Sequence, residues 1–353
     1  MPIYHPFRGT LINHNDFLVE ANSLRGTADF AVRSVGSATE TRPFVDVGYG
    51  KPLSVLVRWV YTGRFPEKHL FSSQKPMLLS SAIKDVTTSS AAASAVNVLK
   101  NRVSPHSAFS GPGAQEEGTH LLYFSPAVAS PFVTVTVNLV FEDFPKELFE
   151  KVSQLFASLA SVPVFMPAAG YLLGASSVVK LGSELGNSLM NGRPVLAENL
   201  PLDFNFGGGS IPKPGYWILS GSPIDTDRYK FDVNQGLMDS GGHVYDGDDP
   251  IVVLSLDGTA QPALASFTPL LASASLLSRF FSQKEDSEAA LDSVLGAVKL
   301  YNDLEYRKKS EDIRQRLSGM KPDDKDYKTL LDQFSAFNAN ISEQRLRLPA
   351  LLQ

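Results

Sequence analysis

The residues best suited to chemistry in this sequence are aspartates on two loops of its second half. Asp225 and Asp227 form one D-x-D pair, and Asp246 and Asp248 form a second, with Asp249 directly after it. Calcium takes roughly six to eight oxygen ligands, which carboxylates on neighbouring loops can supply. Aspartate is also favoured in turns, because its side chain bonds to its own backbone. The spacing therefore predicts either a calcium site formed by these five residues or ordinary solvated loops.

Local patterns for enzymatic chemistry are few. The segment Ser255–Thr259 resembles the D-x-D-G-T signature of the haloacid dehalogenase phosphatases, but Ser255 stands where that family has its nucleophilic aspartate. The segment therefore predicts a strand followed by a turn. No H-x-H or H-E-x-x-H spacing connects the six histidines, which are His5, His14, His69, His106, His120 and His243. A hydrolase whose site is assembled from distant residues, with or without a metal, leaves no local pattern and stays an alternative.

Composition limits the classes of function. The 353 residues carry a net charge of −5 and no cysteine, and 43% of them are apolar, as in globular proteins. Disulfides and thiolate zinc sites are excluded. The acidic balance without a basic run argues against a nucleic-acid partner. Met1–Gly9 lacks the apolar region of a secretory signal, so we expect a cytoplasmic protein or one exported without a signal peptide, with the compartment left open.

The segment Val152–Val179 contains 28 residues without a charged side chain. Glycines at multiples of four residues, which let another helix backbone come close, overlap its end at Gly170, Gly174, Gly182 and Gly186. Pro163 and Pro167 divide the segment into pieces shorter than the roughly 20 residues that span a bilayer. We expect a pair of apolar helices buried in the protein. The alternative is an apolar hairpin that inserts into a membrane after a trigger.

The order of strand-like and helix-like patterns predicts an α+β protein built from antiparallel β-sandwich-like lobes. Strand patterns without alternating helices argue against a parallel sheet. The predicted segments are a β-sandwich-like domain at 1–144, a buried apolar helical pair at 145–190, a second β-rich lobe ending in an apolar helix at 191–283, and a C-terminal helical hairpin at 284–353.

Three local patterns can be assigned in more detail. Leu53–Tyr61 is dense in β-branched and aromatic residues, and Val133–Phe141 alternates apolar with polar residues, so both are predicted strands. Phe7–Ile12 and Phe17–Ala21 flank turn-forming residues and predict a β-hairpin near the start.

The tail has two amphipathic helical patterns separated by Gly319 and Pro322. One predicted face runs through Leu291, Leu295, Val298 and Tyr301 to Leu304. The second contains Tyr327, Leu330, Leu331, Phe334, Phe337 and Ile341. This predicts a helical hairpin or a short coiled coil, which either docks on its own protein or binds a partner helix.

These patterns favour a non-enzymatic protein-binding or assembly protein. It would bind a protein partner, or itself, through its sandwich loops and C-terminal hairpin. A membrane-active protein of the pore-forming type, which hides an apolar hairpin at 152–179, is the first alternative. The hydrolase with a dispersed site is the second. No cofactor is indicated beyond the calcium ion that the aspartate loops predict.

Overall fold

The computed structural model describes residues 1–22, 44–65, 74–85, 93–111, 118–141, 194–204, 211–264 and 288–351. Within these ranges the chain is mixed α+β with mostly antiparallel sheets, which confirms the predicted fold class. The apolar helical pair predicted at 145–190 and most of the apolar helix predicted at the end of 191–283 lie outside the described residues.

The described strands are β1 (Ile3–Phe7), β2 (Thr10–Asn13), β3 (Leu53–Tyr61), β4 (Lys75–Asp85), β5 (Ala93–Val103), β6 (Ala108–Phe109), β7 (Leu121–Ser125), β8 (Phe132–Phe141), β9 (Leu196–Asp203), β10 (Gly215–Ser220), β11 (Tyr229–Asp232), β12 (Gly236–Asp239) and β13 (Ile251–Asp257). The described α-helices are α1 (His14–Asn22), α2 (Glu288–Leu317) and α3 (Tyr327–Ala339).

Two antiparallel sheets form the body of the protein. The larger sheet has seven strands in the order β2-β1-β10-β13-β3-β6, with β7 also paired to β3. The smaller sheet has four strands in the order β5-β4-β8-β9. Strand β8 shows why the sequence folds this way. Its Val133, Val135 and Val137 are buried and alternate with the half-buried Thr134 and Thr136, as the two-residue period of a strand requires.

The main core lies between the two sheets. Leu79 and Val137 of the smaller sheet belong to the same buried cluster as Val55, Val252 and Leu254 of the larger sheet. This burial on facing sides is the sandwich-like arrangement that the sequence predicted.

The strands of the two predicted β-rich lobes are interleaved in the same sheets. Strands β1 and β3 from the first segment pair with β10 and β13 from the later one, and β8 pairs with β9. Each sheet therefore contains strands from both predicted segments.

A second core covers the opposite face of the larger sheet. The small hairpin β11–β12 packs its Phe231 and Leu237 against Trp59, Ile218 and Val253 of that sheet. Its tight fit depends on one glycine in this hairpin. Gly236 has φ of 82°, and a Cβ there would overlap the ring of Trp59.

One predicted hairpin strand is wrong. The first hairpin of the chain turns at Arg8-Gly9 and pairs β1 with β2, which ends at Asn13. The predicted strand Phe17–Ala21 lies within helix α1 instead. The reason is a helix cap. The Asn13 side chain accepts the Asp16 backbone N–H at 3.0 Å and donates to the Asp16 carboxylate.

Helices α2 and α3 form the predicted C-terminal hairpin, which packs on the sandwich. Leu330, Phe334, Phe337 and Ile341 are buried in one cluster with Tyr306 and Ile313 of α2 and Ala127 of the sandwich. The predicted face of the second helix is therefore confirmed.

Candidate functional site

The aspartate loops that the sequence singled out lie around the end of β3 and the hairpin β11–β12. The Asp225 carboxylate accepts the backbone N–H groups of Asp227 and Arg228, both at 3.1 Å. Asp246 accepts the Tyr229 hydroxyl at 3.3 Å. Asp248 lies 3.9 Å from Arg64 in an exposed ion pair. Much of this set thus serves turns and surface contacts.

No group of three or more His, Cys, Asp or Glu residues in the described part of the chain is placed to hold a metal ion. Calcium also accepts backbone carbonyl oxygens as ligands. A calcium site at Asp225, Asp227, Asp246, Asp248 and Asp249 therefore stays a prediction.

Beneath these loops lies a group of three buried tyrosines, namely Tyr61, Tyr229 and Tyr245. The Tyr245 ring lies edge-on to Tyr61 and to Tyr229, with centroids 5.3 and 5.0 Å apart. Burial, with the nearby Asp246 and Asp248 adding to it, raises the pKa of the Tyr61 hydroxyl. The hydroxyl donates to the Gly247 carbonyl at 2.9 Å and lies 2.8 Å from His106 Nδ1. These contacts hold the loops in one arrangement.

A pair of histidines that sequence spacing did not reveal lies at the edge of the larger sheet. His5 on β1 is buried, and its Nε2 lies 2.8 Å from Nδ1 of His14, the first residue of α1. The two residues are nine positions apart in the sequence, which is neither H-x-H nor H-E-x-x-H spacing. The signal that could have found them is the cap at Asn13, which starts a helix at His14.

The segment Ser255–Thr259 is a strand followed by a turn, as its sequence predicted. Asp257 Oδ1 accepts both the backbone N–H and the hydroxyl of Thr259 at 3.0 Å, and the backbone N–H of Val45 at 3.0 Å. The buried Ser255 hydroxyl accepts Arg58 Nε at 2.6 Å. The carboxylate therefore fixes a turn.

The helical hairpin contacts the sandwich through specific polar and aromatic groups. Lys309 of α2 donates to the Tyr49 hydroxyl at 3.1 Å, and Phe337 of α3 lies edge-on to the same Tyr49 ring. Buried Asp303 of α2 accepts the backbone N–H groups of Ser342 and Glu343, both at 2.9 Å. These bonds fix the segment after α3 against α2, so the hairpin is one unit.

Helix α2 uses a different face from the predicted one where it packs on α3. Its buried residues in the hairpin are Asp303, Tyr306, Ser310, Ile313 and Leu317, which recur every three or four residues. Leu304, the last residue of the predicted apolar face, is 47% exposed, and Leu300 one turn before it is 50% exposed. Successive helical residues are about 100° apart, so Leu304 lies beside the packed row. The exposed leucine pair, Leu300 and Leu304, is thus left on the surface.

No family model matches this chain, and neither a curated protein nor a solved structure matches it. None of the described helices combines the length and the apolar composition that crossing a membrane requires. The segment 152–179, on which the membrane-active alternative rests, lies outside the described residues. That alternative and the hydrolase with a dispersed site stay predictions.

Proposed function

We propose that this protein is a non-enzymatic assembly protein that associates with a second copy of itself through helix α2. The observation that carries the proposal is the exposed leucine pair. Leu300 and Leu304 lie one helical turn apart and are 50% and 47% exposed. Apolar residues at this spacing are typical of helices that pack against another helix.

The relative lengths of the two hairpin helices support this proposal. α2 has 30 residues and α3 has 13, which correspond to about 45 Å and 20 Å of helix. α3 can therefore lie alongside only about half of α2. Leu300 and Leu304 lie outside the row of α2 residues that packs on α3.

The remainder of α2 limits where association can occur. Arg307 and Glu311 form an exposed ion pair at 2.8 Å, and Arg314 and Arg316 follow on the surface near the helix end. Exposed charged residues are depleted at the centres of protein interfaces. The second copy would therefore dock toward the leucine pair and the helix start.

The aspartate loops supply a second, polar contact in this proposal. The Asp225 and Asp239 carboxylates each accept two backbone N–H groups of their own loops, and the buried tyrosines support the loops from below. Loops held in this way lose little conformational entropy on binding. Their charge favours a basic surface on the second copy.

Sedimentation velocity over a wide range of protein concentration tests the proposal. We expect the wild-type protein to form a dimer and the Leu300→Gln/Leu304→Gln variant to be shifted toward monomer. The matched control is Lys308→Gln/Asp312→Gln, which replaces two exposed residues of the same helix at the same spacing without changing net charge. This control should associate like the wild type. A monomeric wild-type protein at every concentration would contradict the proposal.

A further inference from the structure

The His5–His14 pair has a defined protonation pattern. His5 Nδ1 lies 3.2 Å from the Tyr216 carbonyl oxygen, and His5 Nε2 lies 2.8 Å from His14 Nδ1. A carbonyl oxygen only accepts, so His5 Nδ1 carries its hydrogen, and neutral His5 accepts at Nε2. The hydrogen between the rings therefore belongs to His14 Nδ1. Both rings are neutral with the hydrogen on Nδ1.

The pair connects helix α1 to the sheet. The Phe17 ring of α1 stacks on His5 with centroids 3.9 Å apart. The Trp217 ring of β10 lies 4.9 Å from His5 and 5.2 Å from His14. His14 and Phe17 belong to α1, whereas His5 and Trp217 belong to the larger sheet. Interactions of the two histidines and two aromatic rings thus hold α1 against the sheet edge.

Added protons are unfavourable in this arrangement. A proton on His5 Nε2 can be accommodated only if His14 gives up its Nδ1 hydrogen, and a proton on each ring puts two N–H donors opposite each other at 2.8 Å. A proton on His5 would also charge a ring that is buried among aromatic side chains. Burial, together with the charge of a protonated His14, lowers the pKa of His5 well below its ordinary value, although the Tyr216 carbonyl acts in the opposite direction. Burial also lowers the pKa of His14.

Three of the nearby charged groups have partners other than the histidines. The Asp16 carboxylate accepts from Asn13, the Arg8 guanidinium lies over the Phe7 ring, and the Asp232 carboxylate accepts backbone N–H groups of its own turn. Among the described residues, the ion pair between a histidine and a carboxylate is that of His243 with Asp239, and it does not involve His5 or His14. The other titratable and charged groups on the elements packed around the pair and in the adjoining turn are Tyr4, Arg8, Asp16, Glu20, Tyr216, Tyr229, Lys230 and Asp232.

We propose that the His5–His14 pair is a proton-operated latch that holds α1 on the larger sheet at neutral pH and releases it at mildly acidic pH. The released state separates the two rings and hydrates them, so each accepts a proton freely. The latch is distinct from the proposed association through α2, because Phe17, which stacks on His5, belongs to a different buried cluster from the hairpin residues.

The direction and size of the effect follow from proton linkage. A histidine in water has a pKa of about 6.5, whereas both rings of the closed pair accept protons less readily. The released state therefore binds more protons, and its population rises as pH falls below about 6.5. At about pH 5.5, one histidine raises the opening constant about tenfold, and two raise it up to about a hundredfold.

Hydrogen–deuterium exchange of His14–Asn22 tests the latch, with Ile251–Asp257 of β13 as an internal reference. After correction for intrinsic exchange rates, α1 should lose at least about tenfold protection between pH 7.5 and 5.5, while β13 keeps its protection. The His5→Gln variant keeps only the His14 ring, so it should lose less protection than the wild type. The control His243→Gln, on an exposed loop, should respond like the wild type. Unchanged α1 protection in the wild type, or an equal loss in folded His5→Gln, would overturn the proposal.

A second measurement on the wild-type protein keeps the proposal testable if His5→Gln does not fold. The ¹⁵N chemical shifts of the histidine rings should show both rings neutral with the hydrogen on Nδ1 at neutral pH. Both should become charged over the same pH range in which α1 loses protection. Rings that become charged while α1 stays protected would overturn the proposal, as would rings that stay neutral while α1 opens.

Discussion

Phe337 of helix α3 and Tyr49 of the β-sandwich lie edge to face, with ring centroids 5.6 Å apart. Tyr49 also accepts a hydrogen bond from Lys309 of α2 at 3.1 Å, so one side chain of the sandwich contacts both helices. The Gly50 backbone lies against the Gln333 side chain of α3, where a Cβ would be 2.9 Å from Gln333 Cγ. The hairpin is therefore docked on its own protein, and a partner must use its outer face.

Removing the Phe337 ring should destabilise the whole protein. Phe337 is fully buried in the cluster shared by hairpin and sandwich. We expect Phe337→Ala to lower the free energy of unfolding by about 3–5 kcal/mol, measured by urea denaturation. The exposed Lys328→Ala on the same helix should change it by less than about 0.5 kcal/mol. Equal effects of the two substitutions would show that the hairpin does not share the core.

Two glycines separate the effect of backbone strain from that of close packing. Gly236 and Gly242 have φ of 82° and 81°, but a Cβ at Gly236 would overlap the Trp59 ring, whereas nothing lies within 4 Å of one at Gly242. Gly242→Ala should therefore cost about 1–2 kcal/mol through strain alone. Gly236→Ala should cost about 1–3 kcal/mol more. Thermal denaturation of both variants measures the difference. Similar melting temperatures would contradict the close contact between Gly236 and the Trp59 ring.

Asn97 should contribute to holding the two sheets together. Its buried side chain on β5 donates to the carbonyls of Thr119 at 3.0 Å and Leu121 at 3.4 Å, beside β7 of the other sheet. Asn97→Ala removes these bonds and should cost about 1–3 kcal/mol. The control Asn199→Ala removes an exposed bond to Thr136 and should cost less. If chemical denaturation gives the same loss of unfolding free energy for both variants, the bonds from the Asn97 side chain contribute no more than an exposed hydrogen bond.

Alkaline pH should destabilise the protein through its buried tyrosines. Burial raises the pKa of Tyr306 to about 12, and burial also raises the pKa of Tyr61, Tyr216 and Tyr245. Above about pH 10 the unfolded chain loses tyrosine protons that the folded chain retains, so stability falls as pH rises. Tyr306 alone accounts for about 2 kcal/mol by about pH 12.

Denaturation at several alkaline pH values measures this slope. The variant Tyr306→Phe should make it less steep. A slope that is identical in wild type and Tyr306→Phe would contradict the effect.

Sequence patterns predicted the strands and helices in which buried residues recur at regular spacing because one face of the element is covered. The strand predicted at Leu53–Tyr61 has those bounds in the structure, and the alternation from Val133 to Phe141 matches β8. The hairpin helices were also predicted, because Leu330, Phe334 and Phe337 recur at helical spacing and are buried. These patterns state which residues are buried, but not which strands lie side by side.

Other features depend on contacts that spacing does not encode. Phe17–Ala21 reads equally well as strand or helix, and the cap between Asn13 and Asp16 makes it a helix. The His5–His14 contact then follows from the turn at Arg8-Gly9, which brings α1 back over β1. Leu304 was expected to continue a packed face, but α3 packs on the neighbouring row that begins at Asp303.

Cysteine cross-linking tests most directly whether two copies associate through the leucine pair. The chain contains no cysteine, so single variants report on one position each. Under mild oxidation, Leu300→Cys, Leu304→Cys or their equimolar mixture should give a disulfide-linked dimer faster than the matched Lys308→Cys and Asp312→Cys variants or their mixture. Cross-linking at the leucine positions that is no faster than at these exposed control positions would contradict association through α2.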